Sequence, residues 1–366
     1  MKTTQRVMTF ASESPKVYKA SKDYFDNVRG NMGIKSKTFS TEHTLEEKSK
    51  VINKLFAEEV ARRSKVSVED YGGDYMHYAQ NPMVKAFADT ISDTMIDMIL
   101  PEVLIGSIGT FAEIRGVDWG DSASFHIKNN SLFTVSNAGW RQKNAPFQKL
   151  ENTTVTLVPE PRQVSVITSL FNVFTNRDSI AEYIMKAVMT IEATILYEAY
   201  DALVGAVSAS VIPTELRLTN FSKATAITLG QTVTSWNNGS QAVFAGTSLA
   251  LSCILPNAST GGRYLFDSDF VKVGHVDRFG QFDTLEMKQV ADYASVNYGL
   301  KLDDTKIFVL SPSSDKLIKV VLGGTLSDTQ SGLQNANMAQ TGSIMKSWGV
   351  SAITNSIAGV IEVTPV

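Results

Sequence analysis

The chain is poor in the residues from which most reactive sites are built. Its 366 residues include one cysteine, Cys253, and four histidines, His43, His77, His126 and His275. A lone cysteine excludes an intramolecular disulfide and gives no support to an oxidising compartment. The histidines fall in four separate segments, and neither C-x-x-C nor H-E-x-x-H occurs, so a metal-ligand set at the usual spacing is missing. The phosphate-cradling patterns G-x-x-x-x-G-K-[ST] and G-x-G-x-x-G are absent, as is the G-x-S-x-G nucleophile elbow. His275 and Asp277 form an H-x-D pair, but with no further ligand at fixed spacing it reads as an ordinary turn or strand histidine. Asp267 and Asp269 begin like a calcium loop, yet the fifth position is Val271 and the required glycine is lacking. No cofactor and no metal are expected, and an enzymatic role has no local motif to rest on.

Long apolar runs are missing too. No stretch approaches the ~18 uninterrupted apolar residues of a membrane span. The nearest, Met95 to Phe111, is broken by Asp97, Pro101 and Glu102. The N-terminus lacks a basic stretch followed by an apolar one, so no signal peptide is read. Folding in the cytoplasm, without a membrane, is the expectation.

What is present is enough for a large core. Hydrophobic residues make up 43% and charged residues 19%, which excludes wholesale disorder and allows one large domain or several intertwined ones. The net charge is only -3, but it is unevenly spread. Residues 1–40 carry eight basic side chains (Lys2, Arg6, Lys16, Lys19, Lys22, Arg29, Lys35, Lys37) against three acids (Glu13, Asp23, Asp26). With little periodicity, this segment reads as an extended basic arm. It is either a solvated terminus or an arm lying on an acidic neighbour or facing packaged nucleic acid.

From Thr44 to Arg63 the pattern is helical, with Leu45, Val51, Leu55, Phe56 and Val60 on one face and a capping-box spacing of Thr44 to Glu47. Gly72-Gly73 interrupts, Asn81-Pro82 opens a second helix, and Pro101 is expected to end it near Leu100. Residues 111–168 switch to alternation: Phe125 and Ile127, Phe133 and Val135, Val155 and Leu157, Val164 and Val166. The polar stretch between these runs, Asn137 to Asn152, is too long for a tight turn, so a long two-stranded arm with an open tip is expected. Next comes a helix from about Ser179 to Ala206, capped by Ser179 with Glu182. It has two apolar stripes, one with Ile180, Ile184, Val188, Ile191 and Ile195, the other with Met185, Met189, Leu196, Tyr200 and Leu203. At ~1.5 Å per residue it is roughly 42 Å long and covered on two sides. Residues 211–340 read as a compact α/β region, with helices at 222–236 and 247–255 and strands at Val243-Phe244 and Ile307 to Leu310. Asn238-Gly239 marks a turn. The Gly/Ser/Gln/Asn-rich stretch Gly323 to Gly342 reads as a loop, and strand character returns from Ser343 to Val363.

This order (basic arm, helices, two-stranded arm, very long helix, α/β region, closing strands) closely resembles the Hong Kong 97-type fold of tailed-bacteriophage major capsid proteins, from about Asn81 to Val366. Local textures carry the same resemblance. They include Gly139-Trp140-Arg141 through Pro161-Arg162, Ala245-Gly246-Thr247, and Val273-Gly274-His275 to Phe279-Gly280-Gln281-Phe282. Ile307 to Leu310 with Pro312 and Lys316, Ser347-Trp348-Gly349-Val350, and Ala358-Gly359-Val360-Ile361 complete them.

The resemblance implies an α+β fold divided into an N-terminal arm and helix (1–80) and an extended loop, or E-loop (111–162). It further implies a peripheral (P) domain (81–110, 163–210, 341–366) with its spine helix at 179–206, and an axial (A) domain (211–340). It also implies a shell protein without enzymatic activity, forming pentamers and hexamers around a double-stranded DNA genome, located in the virion and assembled in the host cytoplasm. Its partners would be copies of itself, a separate scaffolding protein (only about 80 residues precede the resemblance), a portal, decoration proteins, and packaged DNA touched non-specifically on the inner face. Trp140, Arg141, Lys143, Phe147, Lys149 and Leu150 near the arm tip are the expected inter-subunit contacts, Trp and Arg being enriched in interface hot spots. Two alternatives stand beside this reading. One is an encapsulin-type nanocompartment shell, and the other is a soluble enzyme using 211–340 as a small-molecule site.

Overall fold

A computed structural model describes residues 3–31, 42–127, 149, 152–167, 170–208, 212–254, 277–292, 297–312, 315–330, 341–353 and 356–364. The mixed helix-and-sheet class read from the sequence holds.

The N-terminal segment is not extended. It forms α1 (Thr3–Glu13) and α2 (Pro15–Asn31), packed on the body. The stripe that holds them runs Phe10, Ser14, Val17, Ser21, Tyr24 at alternating spacings of three and four, and all five are buried. Two of the five are serines, which hides the helical period from a hydrophobicity reading. Ser14 donates to the Glu59 carboxylate and Ser21 to the Val17 carbonyl, so neither hydroxyl is stranded. Helix α3 (Leu45–Ser64) begins where expected. The Thr44 hydroxyl accepts from the Glu47 N–H, and the Glu47 carboxylate accepts from the Thr44 N–H.

Short helix α4 (Tyr75–Gln80) leads into α5 (Pro82–Ile108), capped by Asn81 with Pro82 in its first turn. Pro101 does not end α5, as the sequence suggested. The proline withdraws one backbone hydrogen bond and its ring crowds the preceding turn, together costing ~3 kcal/mol in a helix interior, but burial of Val103, Leu104 and Ile108 carries the helix through it. Residues Ile91 to Leu100 are all buried, because other helices cover one side of α5 and a sheet covers the other.

That sheet has four strands in the order β1-β10-β11-β4, with β1 (Ala112–Gly116), β4 (Glu160–Ile167), β10 (Ile318–Gln330) and β11 (Thr341–Ala352). β1 runs parallel to β10, and the other neighbours are antiparallel. Buried ion pairs fix it in place. Lys346 on β11 lies 2.6 Å from Asp97 of α5. Lys319 on β10, 1% exposed, lies 2.8 Å from both Glu113 and Asp315. Such pairs add little net stability, but loss of one partner strands the other, so they specify which strand meets which helix.

After β4 come α6 (Leu170–Phe174) and the long helix α7 (Ile180–Ser208). The Ser179 hydroxyl accepts from the Glu182 N–H, and Asn53 of α3 bonds both Ile180 N–H and the Asp178 carbonyl, clamping the start of α7. Its first stripe is wholly buried. In the second, Met185, Tyr200 and Leu203 are buried, Leu196 is half-buried and Met189 is exposed.

Six further strands form a second sheet, β5-β12-β9-β6-β8-β7, with β5 (Arg217–Leu218), β6 (Val243–Gly246), β7 (Arg278–Phe279), β8 (Phe282–Glu286), β9 (Lys306–Leu310) and β12 (Gly359–Glu362). Alternate residues of β9 serve two cores. Phe308 and Leu310 join the main core with α7, while Ile307 and Val309 face α8 (Lys223–Trp236) and α9 (Ser248–Ser252). Asn238 and Gly239 both adopt positive φ, the turn expected of that dipeptide.

The sheets divide the chain differently from the expected spans. The glycine-rich stretch from Gly323 is strand as far as Gln330, with a register shift between Leu322 and Thr325, while 331–340 lies outside the described residues. β10, placed by the sequence in the 211–340 region, is a central strand of the four-stranded sheet. β12, placed with the closing strands, belongs to the six-stranded one. β1 and β4 pair within the body, which leaves, among the described residues, β2 (Ala123–Ile127) and β3 (Thr153–Leu157) as a separate pair of strands.

Candidate inter-subunit surface

β2 and β3 form an antiparallel two-stranded sheet, Ala123 opposite Leu157 and Ile127 opposite Thr153. The alternation in β2 is complete: Ala123, Phe125 and Ile127 are buried, Ser124 and His126 exposed. On the exposed face the Ser124 and Thr156 hydroxyls lie 3.3 Å apart, and His126 Nδ1 lies 3.1 Å from Thr154 Oγ1. Phe125, 0% exposed, is the root of this arm. It packs with Val321 of β10 while the Arg115 guanidinium lies 4.6 Å and the Lys319 ammonium 5.7 Å from its ring. Arg115 also donates to the Ser124 carbonyl at 2.6 Å. Burial alone would raise the Glu113 carboxyl, but hydrogen bonds from Lys319 and Arg115 outweigh it and hold that group below its ordinary range. The anion therefore stays in place to order both cations.

The rims at the base of the arm have little cover. Among the described residues neither β2 nor β3 pairs with a third strand. Val158 and Trp119, at its base, are 63% and 46% exposed. They sit beside glycines of the sheet. A Cβ on Gly349 would lie 3.0 Å from the Val158 carbonyl, and one on Gly324 would lie 3.8 Å from the Trp119 Cβ. β4, which follows the arm, is the outer strand of its own sheet, with Glu160, Pro161, Gln163 and Ser165 exposed. Pro161 suits an edge, having no N–H to offer a further strand. A cluster ties β4 to α7. Arg162 pairs with Glu198, the Trp348 indole N–H donates to Glu198 at 2.9 Å, and the Arg162 guanidinium lies 4.9 Å from the Trp348 ring.

A second exposed surface lies at Glu69–His77, nine consecutive exposed residues. The segment is nonetheless ordered by its own hydrogen bonds. A 3-10 turn (Glu69–Tyr71) ends at Gly72, and Gly72 and Gly73 adopt positive φ. Asp74 caps α4 by accepting from the Met76 and His77 N–H groups. Asn81 donates to the Tyr71 hydroxyl at 2.7 Å.

Of the tip residues expected to make contacts, Lys149 is described and exposed. Trp140, Arg141, Lys143, Phe147 and Leu150 lie outside the described residues. The alternation in β2 marked Phe125 as inward. Nothing in the sequence marked Arg115 and Lys319, which come from paired strands some 200 positions apart and converge on this ring and on Glu113. Chemically the surface offers pairing edges, apolar rims and charge. Among the described residues, no group of three or more histidine, cysteine or carboxylate side chains could hold a metal ion. His43 precedes α3, His77 is in α4 and His126 in β2, and His275 is outside the described residues. Burial pushes the Cys253 thiol up, which disfavours the reactive thiolate.

No protein-family model matches the chain, and no curated protein matches it. Solved structures similar to it include a chain of the mature capsid of bacteriophage PhiM1, at 12% identity over 70% of this chain and 86% of that one, TM-score 0.43. The acid-stable capsid of Helicobacter pylori bacteriophage KHP30 is similar at 10% identity over 72% and 90%, TM-score 0.46. A virus-like particle from Pyrococcus furiosus is similar at 8% identity over 72% and 98%, TM-score 0.42.

Proposed function

We propose that the chain is the major capsid protein of a tailed bacteriophage. Copies self-assemble into pentamers and hexamers that form an icosahedral shell around a double-stranded DNA genome. The observation that carries this reading is the β2–β3 arm. It is a two-stranded sheet rooted on the body by Phe125, with no third strand among the described residues. An isolated pair of strands is at best marginal in water, and uncovered edges and rims are liabilities unless a partner covers them. Identical neighbours in a shell supply that cover at every arm.

In this reading β2, β3 and the chain between them are the E-loop. α5, α7 and the four-stranded sheet are the P domain, and the six-stranded sheet with α8 and α9 is the A domain. The shell has no catalytic task. A separate scaffolding protein, a portal and decoration proteins are its other partners, it assembles in the host cytoplasm, and it ends in the virion. A net charge of -3 does not oppose the role, because packaged DNA brings its own counterions and the wall need not neutralise it.

The test is negative-stain electron microscopy of the purified chain, with and without a candidate scaffolding protein. Closed shells, tubes or ring-shaped capsomers are expected. A monodisperse monomer under every condition would overturn the proposal and favour a soluble enzyme.

A further inference from the structure

The surface at Glu69–His77 combines three properties that the fold itself leaves unused. It is acidic, with Glu69, Asp70 and Asp74 and no lysine or arginine between positions 66 and 84. The Asp74 carboxyl, bonded first by the His77 ring and then by two backbone N–H groups, is held below its ordinary range and stays charged. It is also aromatic and apolar at the rim, where Tyr71, Tyr75, Met76 and Met83 are exposed. And it is preorganised: the Tyr71 ring lies edge-on to Tyr78 at 6.3 Å, and buried Tyr78 packs on Phe174 of α6 at 5.3 Å. A surface already ordered loses little entropy on binding.

The sequence contains a segment of matching chemistry. Between β2 and β3, residues 128–152 carry Lys128, Arg141, Lys143 and Lys149 against a single acid, Glu151, together with Phe133, Trp140 and Phe147. Cations of this kind pair with carboxylates and stack on tyrosine faces, and Trp and Arg are favoured anchors. The position of the arm root favours a neighbour's segment. β4 begins beside the arm root at Glu160 and runs toward α6, and α6 packs against α4. The acidic turn therefore lies at the end of β4 farther from the arm. The arm root and the acidic turn stand at opposite ends of β4, which suits a head-to-tail contact between copies, the arrangement that closes into rings when its rotation permits.

We propose that the acidic, aromatic turn Glu69–His77 of one copy is the docking surface for the basic segment 128–152 of a neighbouring copy. This rests on the shell reading above and names which surface of the chain receives the arm.

The test uses the full chain, assembled with scaffolding protein if that is required. Equal amounts of 15N-labelled and unlabelled chains are co-assembled, treated with a carbodiimide, which joins a carboxylate to a lysine, and digested for mass spectrometry. Crosslinks between Glu69, Asp70 or Asp74 and Lys143 or Lys149, in mixed-isotope pairs, are expected. In parallel, Glu69→Lys with Tyr75→Ala should lower shell yield about tenfold or more, with circular dichroism unchanged. Lys143→Glu in the same chain should recover part of that loss. Wild-type shells that show no crosslink to 69–77 would overturn the inference and leave the shell reading intact, as would full yield from the turn variant. A wild-type chain that never assembles would remove both.

Discussion

At the scale of single residues, the buried charges of this protein act as locators. Glu59 is the clearest case. Burial pushes its carboxyl up, but hydrogen bonds from Arg62, Arg63 and Ser14 more than reverse this and bring it from 4.5 to about 2. These partners join α3 to the start of α2, so the carboxylate holds the N-terminal helices to the body. The folded chain releases this proton more readily than the unfolded one. The stabilisation is therefore complete above about 4.5 and is lost as pH falls toward 2. Urea denaturation of wild type and Glu59→Gln is expected to show a stability gap that is constant near neutrality and closes through that acid window. A gap of equal size at about pH 3 and about pH 7 would contradict the assignment. The same buried serines explain why the helices were illegible: a period read from apolar residues alone skips positions 14 and 21.

At the scale of elements, packing overrides propensity in both directions. Pro101 sits inside α5 against its helix-breaking chemistry. In α8, Gly230 is a poor helix former held by a close approach, since a Cβ there would lie 2.7 Å from the ring of Phe282. Gly230→Ala should gain about 1 kcal/mol of helix propensity and lose about 1–3 kcal/mol to overpacking against that buried ring. The expected outcome is a lower thermal midpoint. A raised midpoint would mean that α8 does not lie this close to β8. Helix starts were legible because caps are local: Thr44, Asn81, Ser179 and Thr247 each accept from an N–H two or three residues on.

At the scale of the whole molecule, the proposed function rests on surfaces that a single copy leaves uncovered. If the tip of the β2–β3 arm anchors a neighbour, Trp140→Ala should weaken association by about 2 kcal/mol, a typical hot-spot value. Sedimentation should then show fewer shells and more free capsomers, while the monomer's circular dichroism stays that of wild type. Undiminished shell yield would remove Trp140 from the interface. The arm was legible as two alternating runs separated by a polar stretch. Its root was not, because Phe125 is enclosed by Arg115 and Lys319 from β1 and β10, strands far apart in sequence.

The sequence by itself determined α3, α7 and α8, the capped starts of α3, α5, α7 and α9, the alternation of β2 and β3, and the absence of local catalytic motifs. Each depends on contacts within a few residues, where period and side-chain chemistry suffice. Only the tertiary structure decided strand partnership. Alternation states which face of a strand is buried but not which neighbour lies alongside, so β10 could be read as loop and β12 assigned to the wrong sheet. Residues far apart in the chain settled those places. Lys346 found Asp97 beneath the four-stranded sheet, and Val360 lies opposite Phe308 in the six-stranded one. Burial makes such pairings specific, because a buried charge without its partner, or an inner strand without its ladder, costs more than any local preference can offset.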